Sequence, residues 1–146
     1  MDIRQEFEDY SFEVMDKLFD IEKGNLENLS QNEQEIVRIW RLESDMYNGG
    51  FIQFFCNWGY ENFLETQKVL KKINASKNLE IITECELIIS KCQDDERIEK
   101  FWDIPIILRE YITKEEEKRL DELDELYWTD PNDIQKLAYD FYLKEN

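Results

Sequence analysis

Apolar residues recur at three- and four-residue steps along most of the chain, the spacing that gathers them on one face of a helix. Over about 5–23 the stripe is Phe7, Tyr10, Val14, Leu18 and Ile21, widened by Met15 and Phe19, and Gly24-Asn25 supplies its stop. Asn32-x-x-Glu35 has the form of a capping box opening a second helix, whose apolar side carries Ile36, Val37, Ile39, Trp40 and Tyr47. Phe63, Leu64, Leu70 and Ile73 mark a later helix with Lys68, Lys71 and Lys72 on its outer side, and Leu79, Ile82, Cys85 and Ile89 predict another over about 77–91. Pro105 interrupts an apolar concentration at 101–111 and predicts a kink or break there. Thr113-x-x-Glu116 is a second capping box, for a helix to about residue 127 with Leu120, Leu123, Leu126 and Tyr127 inward. Asp130-Pro131 then predicts the start of a last helix bearing Ile134, Leu137, Ala138 and Phe141. The expectation is an all-α fold: one domain over 1–146, a bundle of about six to eight helices.

One stretch departs from this charged, helical pattern. Residues 48–60 hold three of the four glycines together with Phe51, Phe54, Phe55, Trp58 and Tyr60, and carry no charge. Asn48-Gly49-Gly50 reads as a helix ending, because asparagine and glycine tolerate the left-handed conformation and a second glycine permits sharp re-entry. A short helix restarting near Phe51 would place Phe51, Phe54 and Phe55 on one apolar face and Gln53 and Asn57 on its flank. Buried amides need partners, so this hub is either a corner with its amides satisfied or a ligand pocket lined by Gln53, Asn57 and the aromatics. Glu43, on the flank of the preceding helix, is either an acceptor for the backbone amides freed at the break or an exposed flank residue.

The residues Trp40-x-Leu42-Glu43-x-x-x-Tyr47-Asn48-Gly49-Gly50-Phe51-x-Gln53-Phe54-Phe55-x-Asn57, followed by a helix ending at Asn74-Ala75, resemble a bacterial family. It is the domain-of-unknown-function family named after a DNA-mimic protein, whose C-terminal domain defines it. The similarity is dense over about 36–75 and returns weakly at 120–127, giving a family-like core of about 36–127. The resemblance implies an all-helical fold and, for some members, acidic surfaces that imitate the phosphates of DNA.

Composition narrows the function classes. Thirty-five acidic residues against 18 basic ones and no histidine give a formal charge of −17, which repels nucleic-acid backbones and anionic membranes and favours basic partners. The negative charge lies towards both ends, while the segment 48–75 sets Lys68, Lys71 and Lys72 against only Glu61 and Glu65. Cys56, Cys85 and Cys92 lack metal-site spacing and read as small buried residues in a reducing cytoplasm. The acidic start has no apolar core of a secretion signal. Acid–base chemistry needs two carboxylates in different environments across a cleft, not arrays on solvated faces, so the expectation is no enzyme, no cofactor and no metal. The favoured reading is an acidic interaction module, a DNA mimic binding a basic protein such as a transcription regulator or toxin. Its candidate surface is Glu117, Asp121, Glu122, Asp124 and Glu125. The alternative is a small-ligand or immunity-type binder using the Gln53/Asn57 hub, whose residues are Trp40, Glu43, Asn48, Gly49, Gly50, Phe51, Gln53, Phe54 and Asn57. If the 101–111 patch is exposed, it is the expected homodimer contact.

Overall fold

A computed structural model describes residues 2–144, leaving Met1, Glu145 and Asn146 outside. These residues form seven α-helices and no strand: α1 (Ile3–Asp16), α2 (Gln31–Asn48), α3 (Phe51–Lys72), α4 (Ser76–Ile89), α5 (Ile104–Leu108), α6 (Lys114–Trp128) and α7 (Ile134–Tyr142). The bundle is all-α, as the periodicity predicts.

α2 lies at the centre, packed on α1, α3 and α6, while α4 joins α3 to α6 and α7 closes against α1. Most of its apolar face is buried, Ile36, Val37, Ile39, Leu42 and Met46 having no more than 1% of their surface exposed, while Tyr47, expected on the same side, is exposed. Burial of each such side chain is worth roughly 1.5–3 kcal/mol, so this stripe is a main source of cohesion. Phe51, Phe54 and Phe63 of α3 fill the adjoining core, with the Phe51 and Phe63 rings edge to face at 5.8 Å.

Several helix ends differ from their sequence expectation. After Asp16 the first helix widens into a π-turn over Lys17–Ile21. The extra residue in that turn rotates the stripe, so Leu18 stays buried while Phe19 and Ile21 face solvent. Its stop is where Gly24 predicts, with Lys23 and Gly24 both left-handed. The cap of α2 is Ser30, not Asn32: Ser30 Oγ accepts from the Glu33 amide and Glu33 accepts from the Ser30 amide, completing the box. Glu35 is thereby free for another role, and its buried carboxylate accepts from Gln31 of the same helix, Lys72 of α3 and Tyr142 of α7. Burial pushes this carboxyl up, but those three donors outweigh it and its pKa lies below the usual range.

α3 is two helices joined at Gly59, whose φ of +87° breaks the ladder. A Cβ there would stand 2.6 Å from Phe101 Cε2, so the glycine is what lets the Phe101 ring lie against the kink. The 101–111 stretch is divided. Ile104, Ile107 and Leu108 are buried, Pro105 sits in the first turn of α5 where it costs no hydrogen bond, and Ile106 is exposed. In α6 the Thr113–Glu116 box is present as predicted, but Leu126 is exposed rather than inward. Pro131 precedes the last helix, which starts at Ile134; Asp130 still serves its start by accepting from the Ile134 amide at 3.2 Å.

The choice between the two serine- and asparagine-based caps is measurable. Ser30→Ala should lower stability by about 1 kcal/mol, while Asn32→Ala should leave it nearly unchanged, as read by urea denaturation.

Candidate functional site

The break between α2 and α3 is built from backbone outward. Asn48 completes α2, and the carbonyl of Asp45 accepts from the amides of both Gly49 and Gly50, at 2.8 and 3.0 Å. The left-handed step falls on Gly50 alone, at φ +92°, while Gly49 keeps a negative φ of −155°. A new helix beginning on glycine has no capping side chain of its own, so its first amides need an outside acceptor. That acceptor is Asp124, from α6: the Phe51 amide donates to its Oδ1 at 2.9 Å. Glu43, the residue expected in this role, does not fill it. A Cβ on Gly50 would meet Asp124 Oδ2 at 2.2 Å, so the glycine is required by its conformation and by the approach of the carboxylate.

The two hub amides converge on a second carboxylate that the sequence reading did not single out. Asp45, buried on α2, accepts from Gln53 Nε2 at 2.8 Å and Asn57 Nδ2 at 3.2 Å through Oδ1, and from Trp58 Nε1 at 2.7 Å through Oδ2. Asn57 Oδ1 in turn accepts from Trp102 Nε1 at 3.0 Å. Gln53 and Asn57 are therefore committed to a carboxylate, not to the backbone of the break and not to a ligand cavity. Phe51, Phe54 and Phe55 pack into the core beneath them.

α6 holds the break with three residues of one face. Besides Asp124, the fully buried Tyr127 donates its hydroxyl to Glu43 Oε2, and Trp128 Nε1 donates to the Met46 carbonyl at 2.6 Å. Positions 124, 127 and 128 are three and four apart and so share a side of the helix. Burial pushes the Glu43 carboxyl up to about 8 despite the Tyr127 hydroxyl bond, and the charge of Asp130 adds to the rise. Burial likewise lifts Asp124 to about 6, opposed by the Phe51 amide.

The predicted acidic surface is thereby reduced. Asp124 leaves it, because its carboxylate faces the break. Glu122 shares Arg119 with Glu84, the Arg119 Nε–Glu84 distance being 2.6 Å and the Arg119–Glu122 distance 3.5 Å. Glu117, Asp121 and Glu125 remain exposed and form no ion pair among the described residues. Trp40 lies away from the break, with Phe12, Glu43 and Gln135 in the wall of a cleft of about 240 Å³. The expected dimer patch is partly used internally: Phe101 packs edge to face on Phe55 at 5.8 Å, and Trp102 bonds to Asn57. Ile106, 74% exposed, is left as its prominent aliphatic surface.

Asp124→Ala should cost about 1–2 kcal/mol as a lost helix cap. Gly50→Ala should cost more, and the two should be less than additive in a double-mutant cycle, because the added methyl already displaces the carboxylate. Glu43 ionises near 4.5 when unfolded and near 8 when folded, so between these values the folded state holds a proton that the unfolded state releases. Its contribution is full below the lower value and is lost as pH rises through the upper one. Relative to Glu43→Gln, the native protein should lose on the order of 2 kcal/mol from about pH 5 to pH 8 in chemical denaturation; equal slopes would show that the carboxyl is not held protonated.

Among the described residues no helix is long and apolar enough to cross a membrane, and no cluster of three acidic or cysteine ligands could hold a metal ion. No curated protein and no solved structure matches the chain. The model of the DMP19-like proteins matches residues 27–146, which takes in α2 to α7, the break and the α6 residues that hold it. On that match the chain belongs to the DMP19-like protein family.

Proposed function

We propose that this protein is a non-enzymatic, cytoplasmic interaction module that binds a basic DNA-binding protein by presenting carboxylates in place of DNA phosphates. The observation that supports this most directly is the row Glu117, Asp121 and Glu125 on α6, exposed and without cationic partners among the described residues. Four-residue steps along a helix separate such side chains by about 6 Å, a spacing that a line of lysines and arginines can follow. Membership of a family named after a DNA mimic supports the same reading. So does the rigidity of the row's support, since Asp124, Tyr127 and Trp128 on the adjoining flank of α6 anchor it to the core. A preset row of charges loses less entropy on binding than a mobile one. The partner class is a basic regulator or toxin.

The test is competition. Basic proteins from the native lysate are retained on DNA-cellulose, and this protein is added as a soluble competitor at fixed salt. Release of specific DNA-binding polypeptides is expected, weakening steeply as salt rises. The Glu117→Gln/Asp121→Asn/Glu125→Gln variant should release them at least about tenfold less efficiently. Equal release by the variant would remove the α6 row from the proposal, and no release by the native protein would remove the mimicry.

A further inference from the structure

α2 and α3 meet at a second place with the opposite chemistry. Arg38 and Arg41, three residues apart on α2, both donate to Oδ1 of Asn62 on α3, at 2.5 and 3.1 Å. Neither guanidinium forms an ion pair with a carboxylate among the described residues, although acidic residues outnumber basic ones 35 to 18 in the chain. Arg4, Arg97 and Arg119 are by contrast each paired with a carboxylate. Arg41 also stacks over the Trp58 ring at 4.1 Å, which fixes its plane.

The polar atoms left over are all donors. Arg41 Nε and Asn62 Nδ2 are buried with no hydrogen-bond partner among the described residues, and Asn62 as a whole is 4% exposed. Orphaned buried donors carry a desolvation cost that an acceptor would relieve. Both residues line a cleft of about 290 Å³ together with Gln34, Arg38 and Trp58. Burial, with the like charge of Arg38, lowers Arg41 to about 10, the behaviour of a cation without a counter-charge. We propose that the Arg38–Arg41–Asn62 cleft is a binding site for a small oxyanion, a carboxylate or a phosphate. Two guanidinium groups and an amide N–H₂ supply the forked, donor-only geometry that such groups accept. Glu27 and Glu61 also line the cleft and disfavour high ligand charge, so a monoanion suits it better than a dianion. The site is independent of the α6 row and stands or falls separately from it.

The experiment titrates the native protein with sodium acetate and, separately, with inorganic phosphate, sodium chloride holding the ionic strength constant. The Arg41 Nε–H and Trp58 indole resonances are followed, with the melting temperature as a second readout. A saturable shift of both resonances and a raised melting temperature are expected with at least one anion. Saturation by acetate assigns the site to carboxylates and saturation by phosphate to phosphates. Arg38→Gln should weaken binding roughly tenfold or more, with Arg38→Lys in its place if the glutamine variant does not fold. Shifts no larger than those from chloride, or shifts unchanged in the folded arginine variant, would overturn the proposal.

Discussion

Breaking a long helical hairpin at two glycines leaves backbone donors with no partner inside either helix, and in a dry core each such group must find one. Here the answer is two buried or half-buried aspartates. Asp45 turns its carbonyl to the glycine amides and its carboxylate to Gln53, Asn57 and Trp58, and Asp124 reaches across from α6 to the first amide of α3. The angle between α2 and α3, the seat of the phenylalanine cluster and the position of α6 all depend on those acceptors. Gly50 belongs to the same device, since its missing side chain is the space that the Asp124 carboxylate occupies.

The acidity of the chain therefore has two meanings. Asp45, Asp124, Glu35 and Glu43 are structural acceptors joining α2 to α3, α6 and α7 and are used within the fold, Glu43 as a carboxyl that burial pushes up to about 8. Glu117, Asp121 and Glu125 are turned outward on α6 and are unspent among the described residues. A net charge of −17 mixes the two, so it overstates what a partner meets on any one face. The reading of the protein as a mimic of DNA is a statement about the second group only. The half-buried arginines of α2 form a local exception to both, two cations that bond to an amide and not to a carboxylate.

α6 links these roles. One flank supplies Asp124, Tyr127 and Trp128 to the break, and the acidic row runs along the adjoining flank, so the surface is held by the same contacts that close the core. Any loosening of the break would be felt as misplacement of the row, because a helix of this length moves as a rigid body.

Much of this was legible in the chain. The apolar periods located the principal helices, the Thr113 box and the Gly24 stop, and the uncharged glycine-aromatic stretch marked the place where the fold turns. Asp124 reads as part of the acidic surface in the sequence, although its position four residues after Leu120 and three before Tyr127 already sets it at the edge of the inward stripe. What periodicity could not supply were partners distant in sequence. That Asp124 and not Glu43 meets the Phe51 amide, that Tyr127 meets Glu43, and that Arg38 and Arg41 share Asn62 are matters of how helices cross. Local pattern determines which face of a helix is buried, whereas a hydrogen bond across tens of residues depends on the relative placement of two helices, and only the packed tertiary structure decides that.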